Sequence, residues 1–369
     1  MNSVEPEKLL TQMLEIYSPS GHEENLANFL KNKLTELEFE NVRLDKAGNV
    51  LGEVGKGSLT VLLCGHMDTV PGRLPVKIEG DRIYGRGAVD AKSSLAAMIM
   101  ASSKLVGQEI GGRVIVACVV DEEGKGIGIR QLMRNKLGVD YAIFGEPSGI
   151  DSITIGYKGR LLVKILCETE PGHVGAPRGF DNAIEKAYVL WSQIEAWASE
   201  KKKSSDSMFY STTACLTGIH GGEASNVIPS KCTMRIDVRL PPSVNCQKGV
   251  DGLHAIIQQF ELKNPGVGLK MRIEDRIEPF IADKDSVLVK ALTQAIEETV
   301  KGPAKLLRKT GTGDMNIFAT KTKVPTVTYG PGNSKLSHTL NEYIEIKDYL
   351  ASIEVHRKTI RNLLTIIRK

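Results

Sequence analysis

Two short stretches of the chain hold residues able to bind a metal ion, Gly65-His66-Met67-Asp68 and Tyr84-Gly85-Arg86-Gly87-Ala88-Val89-Asp90. The first sets an imidazole and a carboxylate directly after Val61 to Cys64, an unbroken apolar run that reads as a strand buried on both faces. The second puts a carboxylate at the head of Ala91 to Val106, a helical run whose Ser93, Ser94, Ala96 and Ala97 suit close packing on a sheet. Open α/β sheets gather their chemistry at the C-terminal ends of such strands. Imidazole with carboxylate suits a borderline cation such as zinc, and a group two residues away can orient the ring. A lone His-x-Asp serves a strand-end hydrogen bond equally well, so the case depends on further ligands.

Three more apolar runs supply them. Val114 to Val120 ends in Asp121-Glu122-Glu123-Gly124, and Tyr141 to Phe144 ends in Gly145-Glu146-Pro147. Val324 to Tyr329 leads through Gly330-Pro331-Gly332 to Ser337-His338-Thr339. Each carboxylate alone reads as a helix cap or a solvated loop, but a parallel sheet gathers all four endings along one edge. Two divalent ions about 3.5 Å apart need a bridging ligand and terminal ligands on each side. Asp90 is the candidate bridge, because a carboxylate offers two oxygens. His66 with one carboxylate and His338 with another complete two balanced shells. One acidic residue has to stay off the ions to take a proton from the attacking water. Glu122 and Glu123 suit that division, since neighbouring side chains on an extended segment diverge. The residues alone leave open which glutamate takes which role.

The elements that position these groups fall into two kinds. Leu9 to Tyr17 and Asn25 to Leu37 carry helical spacing, with Ser20 or Glu23 as cap candidates, and Val42 to Val54 turns at Lys46-Ala47-Gly48-Asn49. Ile127 to Leu137 is a further expected helix. The middle of the chain differs: Ser152 to Glu168, Ser211 to Gly218, Thr233 to Leu240 and Gly268 to Ile273 read as strands around the helices Asn182 to Glu200 and Gln247 to Leu262. That order fits a ferredoxin-like α+β sandwich of one sheet and two helices. The helical run Ser286 to Val300 and the last strand return to the first domain, because His338 must share a site with His66. The expected fold class is therefore α/β: a catalytic domain (1–156 and 275–369) with a mostly parallel central sheet flanked by helices, interrupted by an inserted α+β domain (157–274). Gly156 and the neighbourhood of Arg276 are the expected hinges.

Inside the insertion, Pro171-Gly172-His173-Val174-Gly175-Ala176-Pro177 places a histidine in a glycine-rich turn. Arg239 ends a strand, where its planar fork suits either a substrate carboxylate or an ordinary ion pair. Thr310-Gly311-Thr312-Gly313-Asp314 could bind an anion through backbone donors, but it lacks the lysine of a P-loop; Asp314 could instead read an ammonium group. Lys158-Gly159-Arg160 and Lys201-Lys202-Lys203 are candidate contacts for an acidic partner, or simply solvated faces.

Composition narrows the classes further. The 369 residues, 41% of them hydrophobic, suffice for two cores. No run reaches the ~18 to 20 apolar residues of a membrane span. Met1 to Leu10 has no apolar segment of the secretory type, and the six cysteines include no C-x-x-C pair. Cys64, Cys118, Cys167, Cys215 and Cys232 lie in strand-like apolar surroundings, as reduced core thiols of a cytoplasmic protein do. A formal charge of +4 is mild, and no motif supports nucleic-acid binding.

Taken in order, His-x-Asp, Gly-Arg-Gly-x-x-Asp, Glu-Glu, Gly-Glu-Pro and Ser-His resemble the signature of the co-catalytic zinc metallopeptidase and deacylase family. That family holds carboxypeptidase G, aminoacylase, acetylornithine deacetylase and succinyl-diaminopimelate desuccinylase. The resemblance runs from Gly65 to Thr339 and implies two divalent ions, zinc or alternatively cobalt. It implies His66, Asp90, Glu123, Glu146 and His338 as ligands with Asp90 bridging, Glu122 as general base, and Asp68 as the group orienting His66. It further implies that the insertion 157–274 is a lid and dimerisation domain, forming a homodimer in which His173 reaches the partner's site to stabilise the tetrahedral oxyanion, and a substrate contact from Asn226 in Gly221-Gly222-Glu223-Ala224-Ser225-Asn226. Glu at 146 matches the deacylase branches. Cys64-Gly65-His66-Met67-Asp68-Thr69-Val70-Pro71-Gly72 and Tyr329-Gly330-Pro331-Gly332 resemble the hydrolases that release lysine or ornithine from the C-terminal glutamate of a small acidic carrier protein in lysine and arginine biosynthesis. Small-substrate deacylases and dipeptidases share the mechanism and differ in the pocket. A non-catalytic binding protein on the same fold would be expected to have lost ligands.

Overall fold

The computed structural model describes residues 5–175, 179–200 and 207–366; Ala176, Pro177 and Lys201 to Lys203 lie outside them. Two compact units emerge: Met1–Gly156 with Ala282–Leu307 and Gly313–Lys369, and Tyr157–Ile281 with Arg308–Thr312. Residues 275–281 and 308–312 thus fall in the second unit, where sequence reading put them in the first. The strand Gly268–Ile277 runs past 274 through a bulge between Ile273 and Asp275, still paired with Gly159–Glu168, and carries the segment with it.

The first unit is built on a mixed sheet with a parallel centre. Arg113–Val119, Thr60–His66, Tyr141–Phe144 and Thr326–Thr328 lie side by side and parallel. Val50–Val54 joins one side antiparallel, hairpinned to Glu40–Leu44, and Ser152–Tyr157 joins the other side antiparallel. Thr60–His66 is buried along its whole length, as a strand covered on both faces must be. Helix Lys92–Ser103 packs on one face with Ile346–Ile366 against it, and Leu63, Val116, Ile143, Leu95, Ile99 and Ile353 share that core. Helices Ile127–Arg134 and Asp314–Thr322 pack together, the latter placing Phe318 5.5 Å from the Phe144 ring, centroid to centroid. Glycine at the strand ends lets Lys92–Ser103 approach closely: a Cβ at Gly330 would run into Ser94 Oγ and the Glu146 carbonyl.

In the second unit the sheet order is Thr213–Gly221, Lys231–Leu240, Gly159–Glu168, Gly268–Ile277, all antiparallel. Ala183–Glu200 and Cys246–Lys263 cover one face, burying Leu161, Val163, Met234 and Ile236 beneath Leu190, Ile194, Leu253 and Phe260. The run Ser152 to Glu168 is therefore two strands, the first in one unit and the second in the other. No cysteine is paired, but Cys215 is exposed, contrary to expectation: it sits on an edge strand opposite Asp237. Among the described residues no helix is long and apolar enough to cross a membrane.

One buried group makes stability pH-dependent. His356 is fully buried against Tyr329, neither ring nitrogen has a hydrogen-bond partner among the described residues, and burial lowers its pKa to about 3. The unfolded chain, with an ordinary histidine near 6.5, binds the extra proton first. Stability is therefore full above about pH 6.5 and falls by about 1.4 kcal/mol per pH unit towards pH 3. Replacing His356 with Leu removes that slope, and urea titrations of both proteins across this range, compared at each pH, measure it.

Candidate active site

The parallel strands deliver their C-terminal ends to one edge, and the expected groups meet there. His66 is the last residue of its strand. Its Nδ1 lies 2.9 Å from the Asp68 carbonyl oxygen and 3.5 Å from Asp68 Oδ1. A carbonyl only accepts, so Nδ1 carries the proton in the neutral ring and the lone pair sits on Nε2. That atom is buried, has no hydrogen-bond partner among the described residues, and faces Asp90 Oδ1 at 3.4 Å and Glu146 Oε1 at 3.7 Å. An orphaned lone pair aimed between two carboxylates is what a bound cation would satisfy.

Asp90 extends its other oxygen to a second set. Oδ2 lies 3.3 Å from His338 Nε2, which is 2.7 Å from Glu123 Oε1. Burial works to raise the Asp90 pKa, and the two imidazoles, His338 foremost, more than reverse it, so the carboxyl stays ionised. His338, half exposed and in the left-handed region at φ 63°, has its pKa pushed up to about 9, chiefly by Asp90. Donor atoms of His66, Asp90 and Glu146 lie within 4.8 Å of one another, as do those of Asp90, Glu123 and His338, and those of His66, Glu122 and Glu123. The residues present thus fit divalent ions, with Asp90 common to two sets.

Asp68 does more than face His66. Its Oδ1 accepts the Glu122 backbone N–H at 3.1 Å and its Oδ2 the Glu123 N–H at 3.0 Å. Ser20 Oγ donates to Oδ2 at 2.7 Å, so Ser20 braces this carboxylate and makes no cap. Glu23 likewise gives no side-chain cap; its Oε1 accepts the Asp121 N–H at 3.0 Å. Glu122 and Glu123 both have raised pKa values, burial being the main cause. Asp314, buried at the start of its helix, is raised by burial and then by Glu122, and its Oδ2 has no partner among the described residues.

The remaining expected residues lie in the second unit. His173 pairs with Val227 in a two-stranded ribbon, next to Asn226, whose carbonyl accepts the Val174 N–H at 3.4 Å. The Gly175 N–H donates to His173 Nδ1 at 3.0 Å, so the neutral ring carries its proton on Nε2, the exposed donor. The Arg239 fork is engaged by Asp237 through Nε at 2.6 Å and Nη2 at 3.2 Å, while Nη1 donates to Thr312 Oγ1 at 3.3 Å.

One carboxylate escaped sequence reading. Glu342 is 1% exposed, and its Oε1 accepts the backbone N–H groups of Gly87, Val89 and Asp90 at 3.0, 2.9 and 3.0 Å. The signal available was its place four residues beyond His338, in a segment otherwise readable as a solvated loop.

Residues 62–362 match the profile of Peptidase family M20/M25/M40, and the chain belongs to that family of metallopeptidase-type hydrolases. Among its relatives, a protein of Sulfurisphaera tokodaii named [LysW]-lysine/[LysW]-ornithine hydrolase is 35% identical over 96% of this chain and 95% of its own. A Deinococcus radiodurans protein named [LysW]-lysine hydrolase is 32% identical over 97% and 96%. In fold, the crystal structure of an M20 family metallo-carboxypeptidase from Sulfolobus solfataricus superposes with a TM-score of 0.82, covering 98% of this chain and 100% of that one at 20% identity.

Proposed function

We propose that the chain is a di-metal amide hydrolase that releases lysine or ornithine from the C-terminal glutamate of a small acidic carrier protein. The observation that carries the chemistry is Asp90, which gives one oxygen to the neighbourhood of each of two histidines. His66, Asp90 and Glu146 hold one ion, and Asp90, Glu123 and His338 the other, zinc being the first choice and cobalt an alternative. When bound, such a pair supplies Lewis acidity and lowers the pKa of water towards neutrality. Glu122 takes the proton of the attacking water and returns it to the departing amine. Asp68 keeps both glutamates in place through their amides. His173, from the partner subunit of a homodimer formed through the second unit, donates Nε2–H to the developing oxyanion. Asn226 and Thr312 contact substrate, Asp314 reads its ammonium group, and Arg239 offers its guanidinium to a substrate carboxylate.

The substrate reading rests on the names of relatives that match almost the whole chain; with it we infer a cytoplasmic role in lysine and arginine biosynthesis. The test is amine release from carrier-linked lysine and ornithine, compared with acetylornithine, succinyl-diaminopimelate and dipeptides. We expect kcat/KM for the carrier-linked substrates to exceed the others by at least ~10², and to vanish with chelation and return with metal. Preference for acetylornithine or a dipeptide reassigns the substrate while leaving the chemistry; activity indifferent to chelation removes the metal.

A further inference from the structure

The geometry points to Glu342 as a positioning residue that assembles the second half of the metal pair; we propose that it acts by holding Asp90 and His338 in register. This rests on the two-ion reading above. One Glu342 oxygen gathers three amides of the Gly87–Asp90 turn, the kind of concave backbone array that takes an anion. Its other oxygen pairs with Arg86 Nη1 at 2.8 Å, both residues being buried. Arg86 then reaches two further backbone carbonyls, Gly72 through Nε and Thr339 through Nη1, each at 3.1 Å. Thr339 follows His338 directly, so one buried ion pair ties the turn presenting Asp90 to the turn presenting His338. Pairing of Tyr343–Glu345 with Arg82–Tyr84 sets Glu342 at the mouth of this turn. Burying a carboxylate costs stability unless every lone pair is used, and here both oxygens are engaged.

The consequence is selective. Asp90 and His338 both hang on the brace, whereas His66, Glu123 and Glu146 stand at or just after the ends of separate strands, and the His66–Glu146 set feels it only through Asp90. In Glu342→Gln the amide oxygen can still accept, but its NH2 faces the Arg86 donors and the charge is gone. In Glu342→Asp the charge remains one methylene short. Full-length enzyme loaded with Zn2+ is challenged with graded chelator, and retained zinc is counted. We expect wild type to keep two equivalents. The Gln variant loses one of them at roughly 10- to 100-fold lower chelator, and the Asp variant falls between. Superimposable curves overturn the proposal, as does equal loss of both equivalents with a lowered melting temperature of the metal-free protein, which marks general loosening. Wild type retaining no zinc sinks the two-ion reading itself, and this inference with it. Should neither variant fold, hydrogen exchange on wild type decides: the Gly87, Val89 and Asp90 amides exchange slowly even without metal, and fast exchange overturns the assignment.

Discussion

Glu122→Ala is expected to hold its metal and lose its turnover, with kcat down by ~10²–10⁴, the range that general acid–base catalysis supplies. Truncation at Cβ leaves the backbone amide on Asp68 Oδ1 and leaves Glu123 against His338. The loop therefore keeps its shape while the proton acceptor disappears. KM for the carrier-linked substrate stays near wild type, because the residue acts on water rather than on the acyl group. Glu123→Ala gives the opposite pattern: it removes the carboxylate 2.7 Å from His338 Nε2, and metal content falls along with activity. Steady-state kinetics and metal analysis on the same preparations check both. If Glu122→Ala lost metal and Glu123→Ala retained it, the roles within the pair would be exchanged.

The strand ends that gather the candidate ligands were largely legible because buried parallel strands announce themselves. Val61 to Cys64, Val114 to Val120 and Tyr141 to Phe144 are unbroken apolar runs, so their ends locate an edge without knowledge of strand order. What the edge does to individual carboxylates was not legible. The reach of Asp68 to the amides of Glu122 and Glu123 depends on the register of Thr60–His66 against Arg113–Val119, which no spacing within either strand encodes. Glu342 is harder still, since its partners are backbone N–H groups that every sequence has. The break in Ser152 to Glu168 falls at Lys158, where Lys158-Gly159-Arg160 interrupts the apolar run beside the expected hinge at Gly156, whereas the helix Asp314–Thr322 hid behind a glycine-rich approach read as an anion loop. Periodicity found the cores; polar groups satisfied by main chain had no pattern to show.

Removing the second proposed catalytic side chain tests subunit cooperation. His173→Ala is expected to lower kcat by ~10²–10³, the cost of deleting one oxyanion donor, with metal content and Glu122 untouched. The ring is suited to that role because Gly175 N–H occupies Nδ1 and leaves Nε2–H as donor. His173→Gln, which retains an N–H donor, recovers part of the loss, whereas a residue needed only for the ribbon's fold gains nothing from it. If the donor comes from the partner subunit, Glu122→Ala and His173→Ala complement each other. A mixed dimer has one site with an intact base served by an intact histidine from the other chain. With random exchange about half the dimers are mixed and each has one such site, so activity returns to roughly a quarter of wild type. Activity that stays at the level of the separate variants after verified subunit exchange places His173 in its own chain's site or outside the chemistry. A monomer of full activity in sedimentation does the same.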